Sequence, residues 1–452
     1  MDVTFALWMF PALLGCLFLG FPVAFSLMGI TLVWGLSTFG GSVVAMMLAK
    51  VDDVASNYVI AAVPLFIFMG SLLERSGVAA RLFEAIHIWV RRLPGGLAIG
   101  TILLCVVFAA STGIVGATET VVGLLAIPVM MKAGYNKALI SGTICAGGSL
   151  GTIIPPSVVV IILGPVADVS IGDLFAGMII PGLCLAGCYI LYVMFRCLIK
   201  PEDGPRVLDE DMMSLPQKLK LTVTALVPPL LLIAIVLGSI LGGLATPTEA
   251  AGCGAVASMI LCASYKNLTL EVVKEALYKT VVITAMILLI LMTGNMFAGV
   301  FSATGGMVGV QQLLAAFELT SWETMFILLF IAFVAGFMLD LISLMLIVVP
   351  IAMPIIIAQQ FTDFTTGELL ARGDIKVWFS ICFLIMIQTS YLTPPMAPAI
   401  FYLRGISPPE ITLMHMYKGV IPFIVLHGVV LAGVLMVPQM ALWLPSILFR
   451  GF

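Results

Sequence analysis

Two stretches decide how this chain folds: "GGSLGTIIPPSVVVIILG", Gly147 to Gly164, and "MIQTSYLTPPMAPAIFYL", Met386 to Leu403. Both are apolar enough for a bilayer, yet each carries adjacent prolines near its centre, Pro155-Pro156 and Pro394-Pro395. A proline inside a helix removes a backbone donor and clashes with the preceding turn. In hydrocarbon the freed groups are costly unless protein, water or a ligand satisfies them. Two such breaks therefore read as functional features. Pro156 and Pro395 are expected in the first turn of each second half-helix, where a missing N–H costs nothing. Gly147, Gly148 and Gly151 are expected to unwind the backbone through positive φ. Each break ends one half-helix in unpaired carbonyls, which suit a small cation such as Na⁺. It starts the next with free N–H groups that favour an anion such as a carboxylate.

The surrounding composition is that of a membrane protein. Of 452 residues, 62% are hydrophobic and only 10% charged, against about 25% charged in soluble domains. Apolar runs near the roughly 20 residues of a bilayer crossing recur along the whole length. The net charge of −3 gives no reason to expect a nucleic-acid partner. The opening "MDVTFALWMF" has no basic n-region, so it reads as a first membrane segment and not as a signal peptide. Nine cysteines are scattered through apolar segments, and His87, His415 and His427 have no ligand spacing. Neither a metal centre nor an enzyme is expected.

Basic residues orient the chain. Arg75 to Arg92, Lys132 to Lys137, Arg196 to Lys220, Lys266 to Lys279 and Arg404 to Lys418 bound clusters holding 16 of the 20 Lys and Arg. The positive-inside rule assigns them to the cytoplasm and both chain termini to the periplasm. Segment 97–131 is too long for one crossing, yet both its ends are basic. It must enter and return, turning at "FAASTGIVGATET". Segment 325–358, centred on "AGFMLDLISL", reads as a second hairpin entering from the opposite side. Segments 42–58 and 265–280 are short and amphipathic and read as interfacial helices.

The charged stretch 200–220 divides two halves of the same element order. Prolines pair across them: Pro22 with Pro247, Pro128 with Pro350, Pro155-Pro156 with Pro394-Pro395, and "IIPG" at Ile179 with "VIPF" at Val420. The expected fold is an all-α polytopic membrane protein of two inverted-topology repeats, each with a re-entrant helical hairpin and a broken helix, the signature of secondary transporters. Residues 1–199 form the first repeat, with leading helices in 1–95, a hairpin at 96–131 and a broken helix at 137–166. Residues 200–220 are a cytoplasmic linker. Residues 221–452 form the second repeat, with helices in 221–322, a hairpin at 323–358, a broken helix at 377–403 and a final helix at 419–448.

The chain resembles the large membrane (M) subunit of tripartite ATP-independent periplasmic (TRAP) transporters. "GFPVAF", "FAASTGIVGATETVVGLLAIPVM", "GYNKALISGTICAGGSLGTIIPPSVVVIILG", "AGFMLDLISLMLIVVPIAMPI" and "YLTPPMAPAIFYL" carry the resemblance. It implies an elevator-type importer of organic acids in the bacterial inner membrane, in which a scaffold holds mobile hairpins and broken helices. Na⁺ would be the coupling ion, a periplasmic substrate-binding (P) protein would deliver a carboxylate, and a small four-helix membrane (Q) subunit would brace the scaffold. The runner-up is a stand-alone Na⁺- or H⁺-coupled anion transporter without a binding protein. Carried over residue by residue, a first cation site takes Ser111, Thr112 and Gly113 at one tip with Gly148, Ser149, Gly151 and Thr152 at the break. A second takes Gly336 and Asp340 with Thr389 and Thr393. Thr118, Glu119, Pro156, Ser157, Pro395 and Met396 are the candidate substrate-binding residues. Many family members have "SGSS" at the first tip where this chain has Ile114 and Val115, which leaves fewer side-chain oxygens. This version is closer to the dicarboxylate-type branch.

Asp340 lies inside an apolar hairpin, where a carboxylate marks function by default. Asp340→Ala is expected to weaken the Na⁺ dependence of transport in an uptake assay; an unchanged Na⁺ response would remove it from the site.

Overall fold

A computed structural model describes residues 3–113, 116–206, 213–364, 366–394 and 397–450. Among them helices dominate and no strand forms, the one β pairing being an isolated antiparallel bridge, Thr362 with Leu369. In the first half the helices are α1 (Val3–Leu7), α2 (Met9–Phe18), α3 (Val23–Phe39), α4 (Ser42–Ala55), α5 (Ala62–Arg75), α6 (Val78–Val90), α7 (Gly96–Thr112), α8 (Ala117–Lys132), α9 (Lys137–Ser149), α10 (Val158–Ala167) and α11 (Ile171–Ile199). In the second they are α12 (Leu215–Leu241), α13 (Pro247–Ser264), α14 (Leu270–Ala303), α15 (Gly306–Ala316), α16 (Ser321–Ala335), α17 (Leu341–Ile356), α18 (Arg372–Leu392), α19 (Pro398–Ile406), α20 (Leu413–Met436) and α21 (Gln439–Pro445).

Local chemistry sets the ends. Thr246 and Thr320 each accept from the N–H three residues on, while Glu249 and Glu323 reach back, forming capping boxes that start α13 and α16. Asn136 caps α9 through the N–H groups of Ala138 and Leu139. Six helical stretches among the described residues, including Tyr58–Arg75, α11, α12, α14, α18 and α20, are long and apolar enough to cross a membrane. The arms α7, α8, α16 and α17 have 17, 16, 15 and 16 residues. At 1.5 Å per residue they reach about 22–26 Å, short of the roughly 30 Å hydrocarbon core. They are built to turn back.

The two halves pack reciprocally. Helix α10, which follows the first break, lies on α17 of the second hairpin; α19, which follows the second break, lies on α8 of the first. The paired prolines fall on equivalent elements: Pro128 in α8 and Pro350 in α17, Pro181 in α11 and Pro422 in α20. A second group, α3, α4, α5 and α13 with α14, packs together and reaches the hairpins through α14 on α17 and α5 on α7. Arg75 pairs with Glu275 and Lys279 with Glu74, fastening α5 to α14.

Several sequence expectations change. Residues 265–280 are not a separate interfacial helix: most of them form the first turns of the 34-residue α14, in which no proline interrupts the run. The expected final helix 419–448 is broken, because Val437, pushed out of the helical region before Pro438, ends α20. The linker read over 200–220 is shorter, since α12 begins at Leu215 under a Ser214–Gln217 capping box. Gly147 and Gly148 are helical and Gly151 lies in a 3₁₀ turn, so none has positive φ. Their small size is what counts: a Cβ at Gly147 would lie 2.7 Å from Cys105 Sγ. Pro156 precedes the helix instead of opening it, because extended Ser157 takes the N-cap of α10.

Helices α9 and α20 cross at glycine. A Cβ on Gly142 would strike the carbonyl of Gly419, and one on Gly419 would lie 2.8 Å from the Gly142 nitrogen. Such contacts let membrane helices approach through small residues. Gly142→Val and Gly419→Val are each expected to cost about 1–3 kcal/mol, read as a lowered Tm. Gly428→Ala on the same α20, with nothing within 4 Å, should leave Tm unchanged.

Candidate functional site

The first tip sits on the first break. Helix α7 ends at Gly113 with φ +60, and a Cβ there would lie 2.7 Å from the carbonyl oxygen of Pro156. The Gly113 carbonyl accepts the N–H of Val158 at 3.3 Å, so tip and break share a backbone hydrogen bond. Ser111 and Thr112 are fully buried and donate to Val107 and Phe108 carbonyls of their own helix, which leaves their lone pairs available. At the break the Thr152 hydroxyl donates to the Ser149 carbonyl at 2.9 Å. Helix α7 packs along the 3₁₀ turn Leu150–Thr152.

The second tip repeats the arrangement with different chemistry. Gly336 abuts Ser390 in the last turns of α18, where a Cβ would overlap the serine side chain. Asp340 is the N-cap of α17: Oδ2 accepts from the N–H groups of Ile342 at 3.1 Å and Ser343 at 3.2 Å. Helix α18 stops where Thr393 turns extended before Pro394. The Thr393 hydroxyl donates to the Thr389 carbonyl at 2.7 Å, and the Thr389 hydroxyl to that of Ile385 at 2.9 Å.

Both tips open on one cavity of about 260 Å³, lined by Gly113, Gly336, Asp340, Ser390 and Tyr391, with Ile67 of α5 and Ile287 of α14 across from them. Of the residues singled out in the sequence, Gly113, Gly336 and Asp340 line it. Ser111, Thr112, Gly148, Ser149, Gly151, Thr152, Thr389 and Thr393 do not line it. Thr118 and Ser157 are fully buried with hydroxyls that have no partner. Glu119 is fully buried against Gly148, accepting from the Gly116 N–H at 3.0 Å and the Tyr391 hydroxyl at 3.2 Å. Pro395 and Met396, and the departure at Ile114 and Val115, lie outside the described residues.

Two residues the sequence reading passed over join the halves. Gln388 of α18 is fully buried and donates to the Ser149 carbonyl at 2.6 Å and to Ser149 Oγ at 3.0 Å, tying one break to the other. Its own amide oxygen has no partner. Tyr391 ties α18 to Glu119 at the first tip. An amide alone in the apolar run "FSICFLIMIQTSYL" was the available signal.

Two hairpin tips, each seated on a broken helix of the same repeat and sharing one cavity, define a secondary-transporter fold. Residues 10–440 match the family described as the tripartite ATP-independent periplasmic transporter, DctM component, and the chain belongs to that family. It is 28% identical over 410 residues to the C4-dicarboxylate TRAP transporter large permease protein DctM of Pseudomonas aeruginosa, covering 90% of this chain and 91% of that protein. It is 29% identical over 447 residues to the sialic acid TRAP transporter large permease protein SiaM of Vibrio cholerae, covering 97% and 98%. The dicarboxylate-type resemblance is thus represented among its relatives. In fold it is similar to the YdaH transporter of Alcanivorax borkumensis, with a TM-score of 0.64 at 14% identity over 91% of this chain and 96% of that one.

Gly113→Ala separates backbone strain from contact. A left-handed alanine costs about 1–2 kcal/mol by itself, and here its methyl also meets Pro156. Gly134→Ala, at φ +78 with nothing within 4 Å, should show the strain alone. Thermal unfolding is expected to place Gly113→Ala clearly below Gly134→Ala.

Proposed function

We propose that this chain is the large permease subunit of a secondary active importer that couples an inward Na⁺ gradient to uptake of an organic acid. The observation that carries the reading is the shared cavity, with both hairpin tips and both broken helices on one side and α5 and α14 on the other. An elevator motion would carry the hairpins and broken helices past a scaffold drawn from residues 1–95 and 221–322. Na⁺ would sit where half-helices end. The oxygen donors offered there, hydroxyls of Ser111, Thr112, Ser149 and Thr152, carbonyls at the breaks and the Asp340 carboxylate, are hard and suit such an ion.

The two named relatives are permeases for carboxylates, which supports an acid as cargo. Membership of the family supports a small membrane subunit and a periplasmic binding protein as partners, in the bacterial inner membrane; the distribution of basic residues supports periplasmic termini. Uptake into proteoliposomes holding this chain and its small subunit tests the reading. Uptake is expected to require both an inward Na⁺ gradient and the cognate binding protein. Uptake by the chain alone would point to a transporter working without a binding protein, and uptake indifferent to Na⁺ would overturn the coupling.

A further inference from the structure

A buried ring of polar side chains joins α9, α11, α18 and α20. Ser149 ends α9 and Gln388 lies in the last turns of α18, each six residues before the first proline of its own break. These equivalent positions of the two repeats touch. The Gln388 amide donates to the Ser149 carbonyl at 2.6 Å and to Ser149 Oγ at 3.0 Å.

The ring closes through α11 and α20. Thr389, next to Gln388, gives its hydrogen to the Ile385 carbonyl at 2.9 Å, so its oxygen accepts from His427 Nδ1 at 3.4 Å. That leaves His427 Nε2 as the acceptor for the Tyr189 hydroxyl. The Tyr189 side chain in turn meets that of Ser149. Ser149, Tyr189, Gln388 and His427 have no exposed surface, and polar networks so enclosed hold their members in one arrangement.

Two members of the ring belong to the candidate cation sites, Ser149 to the first and Thr389 to the second. The Ser149 carbonyl already accepts two donors, the Gln388 amide and the Thr152 hydroxyl at 2.9 Å, so both of its lone pairs are taken. An ion that draws on that carbonyl must displace one of them and so acts on the ring.

We propose that this ring makes the two cation sites fill cooperatively, with Gln388, Tyr189 and His427 as positioning residues for Ser149 and Thr389. The inference rests on the Na⁺ reading above. An ion that orders one break fixes the ring, and a second ion then meets a break whose ordering is already done. Two coupled sites give a Hill coefficient between about 1 and about 2, and independent sites give about 1.

Hydrogen–deuterium exchange of the full chain in nanodiscs, titrated with NaCl against choline chloride at constant ionic strength, reads each tip separately at 111–113 and 336–343. Both tips are expected to gain protection along one curve with a Hill coefficient clearly above 1. Gln388→Met, close in size but without the amide, should bring the coefficient at each tip to about 1. Tyr189→Phe, which loses one hydroxyl, should lower the steepness less and decides the matter if Gln388→Met does not fold. A ring that serves stability alone would lower Tm in both salts and leave the steepness of both variants unchanged; that result overturns the proposal. A coefficient of about 1 in the unaltered chain also overturns it and leaves the Na⁺ reading intact. Absence of protection by NaCl at either tip sinks the Na⁺ reading and the proposal with it.

Discussion

Backbone groups freed inside a membrane must find partners, and the rest of this structure follows from how they do so. Each unmet N–H or C=O in hydrocarbon costs several kcal/mol, and two broken helices free several at once. The chain answers by seating a hairpin tip on each break. The Gly113 carbonyl accepts the Val158 N–H, and Gly336 is small enough to let the tip reach Ser390. A break kept intact by a tip is also one that a tip can uncover.

The two halves meet this constraint with different side chains. At the first tip Glu119 caps α8 and is enclosed by Gly148 and Tyr391, so its carboxylate belongs to the protein interior. At the second, Asp340 caps α17 while facing the cavity. Gln388 then links the breaks by reaching from α18 to Ser149. With the Tyr391–Glu119 bond, that contact makes two of the buried polar ties between the halves.

Much of this was legible in the sequence because proline, glycine and charge act locally. Pro155-Pro156 and Pro394-Pro395 marked the breaks, and basic flanks at both ends of 97–131 marked a hairpin. Apolar runs too long for one crossing located both tips. What was not legible depended on which capping residue wins and on contacts across the fold. Ser157, extended at the N-cap of α10, leaves Pro156 one residue ahead of the helix start. Gly147 and Gly148 looked like unwinding points, but they serve as flat surfaces for Cys105 and Glu119, which only the packed structure reveals. The reach of Gln388 to Ser149 spans 239 positions, and no periodicity encodes that.

On the proposed function, Na⁺ acts on both tips through the breaks beneath them. Hydrogen–deuterium exchange of the full chain in nanodiscs, compared between NaCl and choline chloride, addresses it most directly. Backbone amides at 111–113, 149–153, 336–343 and 389–393 are expected to gain protection together in NaCl, while α3 and α13 change little. Equal exchange in the two salts at all four segments, or protection confined to the outer helices, would contradict it.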